Sequence, residues 1–350
     1  MFFNATLRED LFRAMVNRMI DKQDPKVQFA LSAVQASSHL VGEIQREMVT
    51  SAITKEDQSP VTVADFAVQA VIGYFLDRRF PEISLVAEED AAVLRSGGES
   101  GTLDRVTQFV SRVIPDATPG DVLAWIDRGR GDVEDEYWTL DPIDGTKGFL
   151  RGDQFAVCLA YITGKDVQIG VLGCPNLTSR FEEELGGEGS IYLAVKGGGS
   201  WVSPIHGLSE EGFYRLRVSN EQDTRQARLL RSFESGHTNV GQIVDFTEAM
   251  DVEVGPVRLD SQAKYAMLAG GQAEIYLRLL DGDRQGYREK IWDQASGALL
   301  VEEAGGKVTD LEGKALDFSQ GRRLIANRGI CASNGILHQE TLDALQAIGA

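Results

Sequence analysis

Residues 138–148 read Trp-Thr-Leu-Asp-Pro-Ile-Asp-Gly-Thr-Lys-Gly, and this stretch decides the fold. The apolar run just before the acids predicts a strand, and the strand ends in two carboxylates three residues apart. The proline between Asp141 and Asp144 fixes the turn, so both side chains can converge, together with the carbonyl of Ile143. The helix predicted to follow offers amide donors to a phosphate. The pattern predicts a metal and phosphate site, and an Asx-type turn that merely caps a helix is the alternative.

Two further acids lie at the ends of predicted elements in distant parts of the chain. Glu88 follows an apolar strand at residues 83–87, and Asp293 is predicted to cap a helix over residues 291–304. Two metal ions about 4 Å apart need several carboxylates, one of them bridging, to hold the oxygens of a phosphoryl displacement. The acids that meet this demand are Glu88, Asp141, Asp144 and Asp293. Because all the ligands are hard oxygens, magnesium is favoured over zinc.

Composition narrows the class of protein. The chain has 350 residues, of which 43% are hydrophobic, enough for a substantial core. A net charge of −18 opposes binding to nucleic-acid polymers or anionic membranes, but it allows a small anion in a locally basic pocket. The first residues lack the basic and apolar regions of a signal peptide, so we expect a cytoplasmic protein, with organellar targeting left open. Three cysteines, none in a C-x-x-C pair, predict no disulfide framework.

Hydrophobic periodicity predicts a layered α/β protein with mixed sheets. Helices are predicted over residues 27–48, 63–76, 103–113 and 240–250, and strands over 83–87, 137–140, 155–162, 167–172, 191–195, 215–218, 229–233 and 273–279. The turn at residues 163–166 makes a hairpin, so the sheet is not purely parallel. We expect a larger part at 1–190, with a lid-like insertion at about 91–136, and a smaller part at 191–350.

Several motifs together resemble one known family. They are Ser59–Asp65 (SPVTVAD), Val86–Asp90 (VAEED), Leu140–Asp153 (LDPIDGTKGFLRGD), Asp260–Tyr265 (DSQAKY), Ile275–Arg278 (IYLR), Gly286–Asp293 (GYREKIWD) and Glu303–Gly306 (EAGG). The chain resembles the 3′(2′),5′-bisphosphate nucleotidases of plant and yeast salt tolerance, within the lithium-sensitive inositol monophosphatase superfamily. The resemblance spans nearly the whole chain. It implies the layered αβαβα sandwich of the inositol monophosphatase and fructose-1,6-bisphosphatase type.

The resemblance also implies roles for the acids and for their neighbours. It implies two or three Mg²⁺ ions: Glu88, Asp141 and the Ile143 carbonyl would bind one, and Asp141, Asp144 and Asp293 would bind another. Asp65 with Thr146 would orient and deprotonate the attacking water. The residues implied to face the substrate are Thr146, His237, Ser261, Lys264, Arg278 and Asp293.

The activity that this resemblance implies is removal of the 3′-phosphate from 3′-phosphoadenosine 5′-phosphate, a step connected with sulfur assimilation. The sulfated nucleotide and, more weakly, inositol bisphosphate are implied as further substrates, with inhibition by lithium or sodium. We expect a monomer with a small-molecule partner. Two departures weaken the transfer of substrate preference: Gln294 stands where the family usually has His, and residues 280–285 are longer than usual.

Three alternatives compete with this assignment. A haloacid dehalogenase-type phosphatase would use D-x-D with an aspartyl nucleophile, whereas the acids here are D-x-x-D, which favours attack by water. An inositol polyphosphate 1-phosphatase would share the metal site. A non-catalytic nucleotide sensor would have no need for the complete acid set, which is costly to bury without metals.

Cys158 and Cys174 lie on neighbouring predicted strands, and burial as structural thiols is favoured over redox control.

Overall fold

The structure is a computed structural model that describes residues 24–49, 60–95, 100–208, 212–233, 240–279 and 286–350. The α-helices are α1 (Pro25–Ile44), α2 (Pro60–Arg79), α3 (Ala92–Arg95), α4 (Ser100–Val110), α5 (Pro119–Asp127), α6 (Thr146–Arg151), α7 (Val240–Ala249), α8 (Ala263–Ala269), α9 (Ala295–Glu303) and α10 (His338–Ala347). The strands are β1 (Ser84–Ala87), β2 (Glu136–Asp144), β3 (Ala156–Thr163), β4 (Asp166–Cys174), β5 (Ser190–Val195), β6 (Gly199–Pro204), β7 (Tyr214–Arg215), β8 (Leu229–Arg231), β9 (Val257–Arg258), β10 (Ile275–Arg278), β11 (Lys307–Thr309) and β12 (Ile330–Ser333). A π-helical turn, Gln45–Val49, extends α1.

The larger sheet has seven strands in the order β1-β2-β3-β4-β5-β6-β7. Only β1 and β2 are parallel, and the others pair antiparallel, including the predicted β3–β4 hairpin. The sheet therefore continues beyond residue 190, and the predicted boundary at 190/191 falls inside it. The smaller sheet, in the order β11-β12-β10-β8-β9, begins only at Leu229.

One face of the seven-stranded sheet is covered by the two long helices α1 and α2. Along β2, Trp138 and Leu140 pack into this core, whereas Tyr137 packs into the core on the opposite face. This alternation follows from the two-residue period of a strand. Both faces of the sheet are therefore buried.

The opposite face of the large sheet is covered by α8 and α9, and the same core continues into the smaller sheet through residues such as Tyr276 and Ile330. The two helices approach closely at Gly297, where an added Cβ would lie 2.2 Å from a ring carbon of Tyr265. Residues of α7 and α10 pack against the outer face of the smaller sheet in a third core. The layers thus run αβαβα with mixed sheets, and the predicted fold class is confirmed.

The segment interpreted as a lid-like insertion contributes to the core of the larger part. Its helices α4 and α5 pack against α2, and Phe109, Val122 and Ile126 are fully buried there. An added Cβ at Gly73 of α2 would lie 2.2 Å from the carbonyl oxygen of Trp125 in α5. The segment is therefore held by close helix packing.

Among the described helices, none has both the length and the hydrophobicity that a membrane span requires.

The contact between α2 and α5 makes Gly73→Ala a test of this packing. Alanine normally makes a helix more stable than glycine does. Here, however, the methyl group of alanine would meet a fixed backbone carbonyl. We expect the free energy of unfolding to fall by about 1–3 kcal/mol in urea titrations. Gly255→Ala is the control, because nothing lies within 4 Å of an added Cβ there. Equal stability of the two variants would contradict the close packing.

A buried histidine joins the two C-terminal strands to α10. The ring of His338 lies 3.0 Å from Thr309 Oγ1 and 2.9 Å from Ser333 Oγ, and the residue is 2% exposed. Burial, aided by the charge of Lys307, lowers the pKa of His338 to about 4. The folded protein therefore keeps this ring neutral at a pH where the unfolded chain already binds a proton.

His338 predicts a loss of stability in mild acid. Its contribution is complete above the unfolded pKa of about 6.5 and is lost as the pH falls from there towards 4. Between pH 7 and pH 5, we expect the wild type to lose about 1–2 kcal/mol more unfolding free energy than His338→Gln. Chemical denaturation at both pH values measures the difference. Parallel pH profiles for the two proteins would contradict the assignment.

Candidate active site

A bulge at the end of β2 turns two acids towards the same side of the sheet. Asp141 pairs with Cys158 and Asp144 pairs with Ala156, so three steps along β2 match two along β3. In a regular strand, residues three apart would point to opposite faces. The extra residue of the bulge changes that alternation, and both carboxylates line one pocket.

This pocket is a cavity of about 390 Å³ between the two sheets. The residues from the sequence analysis that line it are Glu88, Asp141, Ile143, Asp144, Thr146, Ser261, Lys264, Arg278 and Asp293. Asp65 is not part of its wall. His237, residues 280–285 and Ser59 of the first motif lie outside the described residues.

Asp141 is the most constrained of the acids. It is 3% exposed, and its Oδ1 atom has no hydrogen-bond partner. Burial, followed by the charges of Glu88 and Asp144, raises the pKa of Asp141 well above its ordinary value. Burial and Asp144 likewise raise the pKa of Asp293. The buried charges are therefore unfavourable as they stand, and a cation at this position would relieve them.

Asp144 is stabilised by groups from the opposite wall. Its Oδ2 accepts a hydrogen bond of 2.5 Å from the backbone N–H of Gln262. Burial raises the pKa of Asp144, and the positive charges of Lys264 and Arg278 oppose that rise. Asp144 thus lies between the acidic group and the basic group of the pocket.

The donors of the pocket suit a hard divalent cation. Carboxylates and a backbone carbonyl line it, and the unpartnered oxygen of Asp141 is free to bind an ion. Glu88 and Asp141 lie close enough to share a hydrogen bond. In the arrangement seen among the described residues, no three His, Cys, Asp or Glu side chains are placed to hold an ion. The carboxylates would have to draw closer together around one.

Two cations lie across the pocket from the acids, Lys264 buried and Arg278 half-buried. Lys264 is 3% exposed, and its Nζ donates to Ser232 Oγ over 3.1 Å. Burial lowers the pKa of Lys264 to about 8, although Asp144 opposes that effect. Arg278 forms an ion pair of 3.0 Å with the buried carboxylate of Glu289. The pocket can therefore accept an anionic group in spite of the acidity of the whole chain.

The two walls meet at a pair of residues with left-handed backbone conformation. Gly145 has a φ of 89° and Ser261 a φ of 65°. A Cβ on Gly145 would lie 2.9 Å from the Cβ of Ser261. Glycine at 145 therefore serves both its own φ and this close approach. The left-handed conformation is costly for a non-glycine residue such as Ser261. Ser261 directly precedes Gln262, whose backbone N–H donates to Asp144.

Asp65 lies behind the acids. Burial, followed by the charges of Glu89 and Glu88, raises the pKa of Asp65 well above its ordinary value. Thr146 Oγ1 lies 3.5 Å from the carbonyl oxygen of Ile143, and no hydrogen bond joins it to Asp65 in this arrangement. The role of Asp65 and Thr146 in handling water stays a prediction.

The prediction that Asp293 caps a helix was wrong. The helix begins at Ala295 with Gln294 at the N-cap, and Asp293 lies in the turn before it, where it faces the pocket. A sequence favours Asp as a cap because the local pattern fits, but local pattern does not report the charge of a distant wall. The carboxylate of Asp293 therefore lines the pocket and does not cap the helix.

Several residues of the site were missed by the sequence analysis. Gln262 binds Asp144 through its amide, donates its side chain to the Trp292 carbonyl at 2.8 Å and accepts from Gly297 N–H at 3.1 Å. Asp260 also lines the pocket and is paired with Arg151. Both Gln262 and Asp260 lie inside the quoted DSQAKY motif, which was therefore the available signal.

Comparison with known proteins identifies the family. The model of the inositol monophosphatase family matches residues 22–350. The chain belongs to the inositol monophosphatase family. Members of this family are phosphatases, so the prediction of a phosphoric monoester hydrolase is confirmed.

Relatives within the inositol monophosphatase family place the chain near one branch. A protein of Schizosaccharomyces pombe is 37% identical over 93% of this chain and 96% of its own length, and one of Oryza sativa is 39% identical over 91% and 92%. Both are named 3′(2′),5′-bisphosphate nucleotidase. The predicted resemblance to this branch is confirmed.

Solved structures of the inositol monophosphatase family share the fold. An IMPase from Thermotoga maritima aligns with a TM-score of 0.60 at 20% identity, covering 93% of this chain and 98% of its own. An inositol monophosphatase from Anabaena aligns with a TM-score of 0.58 at 21% identity, covering 92% and 97%. At this identity the likeness supports the fold alone.

The unpartnered carboxylate of Asp141 makes Asp141→Asn informative in two assays. A raised pKa means that ionisation of Asp141 at neutral pH lowers the stability of the folded protein, so the neutral amide relieves that cost. In EDTA, we expect the free energy of unfolding of the variant to exceed that of the wild type by about 1 kcal/mol. The variant should therefore unfold at a higher temperature. Added Mg²⁺ should no longer raise that temperature, and phosphate release should be abolished.

Asp104→Asn, on the exposed surface of α4, is the matched control. It should leave the Mg²⁺ response and the turnover unchanged. Near-normal activity of Asp141→Asn would refute the assignment of Asp141 to a metal.

Proposed function

We propose that the chain is a Mg²⁺-dependent phosphatase that converts 3′-phosphoadenosine 5′-phosphate to AMP and phosphate, and that also accepts the sulfated nucleotide. The observation that carries this proposal is the pocket itself, where converging carboxylates face the cations Lys264 and Arg278. The names of the relatives at 37% and 39% identity support a bisphosphate nucleotide as the substrate. A molecule with two separate phosphates suits such a pocket, because one phosphate can meet the acids through a metal and the other can meet the cations.

The acids would hold the metal. Glu88, Asp141 and the Ile143 carbonyl would bind one Mg²⁺, and Asp144 and Asp293 would bind another with Asp141 as the bridge; a third ion is compatible with this set. When bound, Mg²⁺ stabilises the charge of the phosphoryl group and makes water more acidic. The unpartnered Oδ1 of Asp141 supports the bridging role.

Asp65 and Thr146 would orient the attacking water and accept its proton. The raised pKa of the Asp65 carboxyl group supports this role, because a carboxylate with a raised pKa is a stronger base. Water attack leaves no phosphoenzyme. The D-x-x-D spacing supports this route over an aspartyl nucleophile.

Lys264, Arg278 and Ser261 would bind the nucleotide and its 5′-phosphate. Both cations are inside the cavity, and a guanidinium can bind phosphate through two N–H groups. The hydrogen bond from Lys264 to Ser232 holds the ammonium in place.

The first test compares two substrates. With Mg²⁺ and equal concentrations, we expect kcat/KM for 3′-phosphoadenosine 5′-phosphate to exceed that for inositol 1,4-bisphosphate by about tenfold or more, a difference of about 1.4 kcal/mol. Release of inorganic phosphate measures both. A preference for the inositol compound would assign the chain to the inositol polyphosphate phosphatases, and release from neither would support the nucleotide sensor.

Arg278→Met tests the second phosphate site. We expect the KM for the bisphosphate nucleotide to rise by about 10- to 100-fold, since a charge-assisted contact is worth about 1.5–3 kcal/mol. The change also leaves Glu289 buried without its partner, so stability must be controlled. Arg228→Met is the matched control, because Arg228 pairs with the buried Glu274 at 2.6 Å outside the pocket. A similar KM in both variants would refute the role of Arg278.

A further inference from the structure

A chain of hydrogen bonds runs from the middle layer to the pocket. The hydroxyl of Tyr265 donates to Gln294 Oε1 at 2.5 Å, and Gln294 Nε2 donates to Glu289 Oε2 at 3.0 Å. The same Glu289 oxygen accepts from Arg278 Nη2 at 3.0 Å, and Arg278 Nε lies 3.4 Å from the other oxygen. We call Tyr265, Gln294, Glu289 and Arg278 the relay.

Most of the relay is removed from water. Tyr265 is fully buried, Gln294 is 1% exposed and Glu289 is 3% exposed. Gln294 and Arg278 line the pocket, whereas Tyr265 and Glu289 do not. Hydrogen bonds among buried groups are costly to break, because the separated partners cannot turn to water.

The relay fixes the orientation of the Gln294 amide. An amide has two unlike ends, and the carboxylate of Glu289 can only accept. A flipped Gln294 would set its oxygen against that carboxylate, so the amide nitrogen must face Glu289. The hydroxyl of Tyr265 then donates to the amide oxygen, which is left on the other side. Tyr265 therefore supports the one orientation in which Gln294 can hold Glu289.

Glu289 in turn determines which edge of Arg278 faces the cavity. The guanidinium is planar and carries five N–H donors. Its Nε and one Nη2 hydrogen are directed at Glu289, and the Tyr276 hydroxyl lies close enough to share a hydrogen bond with the guanidinium. The remaining hydrogens of Nη1 and Nη2 are left for the pocket. A side chain held in this way loses little freedom when an anion binds.

We propose that the relay is a positioning device, in which Tyr265 and Gln294 act through Glu289 to preset Arg278 for the second phosphate of the substrate. This inference rests on the proposed function, since that phosphate is the 5′-phosphate of the nucleotide. It makes Gln294 a specificity-determining residue at the position where the sequence departs from the family pattern. The relay selects bisphosphates over monophosphates without Tyr265 touching the substrate.

Tyr265→Phe tests the relay by removing one buried hydroxyl. Initial rates are measured with 3′-phosphoadenosine 5′-phosphate and with adenosine 3′-monophosphate at saturating Mg²⁺. We expect the KM for the bisphosphate to rise by about 5- to 10-fold, the effect of losing one buried hydrogen bond. The KM for the monophosphate, both kcat values and the Mg²⁺ half-saturation should change less than about twofold, because only the second phosphate depends on Arg278.

Tyr192→Phe is the matched control. Tyr192 is fully buried, and its hydroxyl lies 3.5 Å from the Thr178 carbonyl, away from the pocket. It should leave both KM values unchanged. A purely structural role for the Tyr265 hydroxyl would lower stability without separating the two substrates, and that outcome would overturn the inference.

Gln294→Met provides a second variant if Tyr265→Phe does not fold. It has about the same length and breaks both bonds of the amide, so the loss of discrimination should be at least as large. Calorimetric titration with 3′-phosphoadenosine 5′-phosphate in EDTA separates this inference from the proposed function. If the wild type binds the nucleotide in EDTA but does not hydrolyse it when Mg²⁺ is supplied, the proposed function fails, and weaker binding by the variants still supports the relay. Equal binding by the variants and the wild type overturns the relay.

Discussion

Mutual repulsion among the carboxylates of the pocket is the constraint on which the rest of this site depends. Asp141 and Asp144 reach the cavity from β2, and Asp293 reaches it from the turn before α9. The charges of Asp144 and Asp293 raise the pKa of Asp141, and that of Asp144 raises the pKa of Asp293. Such a group persists only if the surrounding fold is stable enough to bear its cost. The bulge of β2, the amide of Gln262 and the close contact of Gly145 with Ser261 supply part of that support.

The positive side of the pocket depends on the middle layer of helices. Lys264 belongs to α8, and Gln294 caps α9, whereas Arg278 ends β10 of the smaller sheet. The acids of β2 belong to the larger sheet. The cations therefore come from other layers than the acids of β2, although Asp293 lies just before α9 in the middle layer, and the cavity forms where these layers meet. This explains how a chain with a net negative charge can place Lys264 and Arg278 opposite its carboxylates in one pocket.

Much of the fold followed from local patterns. The two long N-terminal helices, the β3–β4 hairpin and the strand that leads into Asp141 were predicted from periodicity and turn residues, since these depend on neighbours in sequence. The boundary predicted at 190/191 falls inside the larger sheet, and the lid-like role of residues 91–136 stays a prediction. Strand order and helix contacts depend on distant residues, which periodicity cannot report.

The candidate site divides in the same way. The DPIDGT acids were singled out because two carboxylates at a strand end are unusual, and the resemblance to the family supplied Lys264 and Arg278. Gln262 and Glu289 were missed because their importance lies in their partners, which only the folded chain reveals. Asp293 was named among the candidate metal ligands and lines the pocket, but the local preference of Asp for helix caps led to a wrong prediction of the N-cap, which is Gln294.

The shared middle layer also bears on how the protein comes apart. Residues of α8 and α9 pack in one continuous core with the larger sheet and with the smaller one, and Gly297 lets the two helices touch at Tyr265. Because α8 and α9 pack against both sheets, neither sheet can lose these helices while the other keeps them. Local opening in this region is coupled, so amide protons of β3, β10 and α9 should exchange with solvent as one cooperative unit. The protein has two sheets, but its centre is a single unit of unfolding.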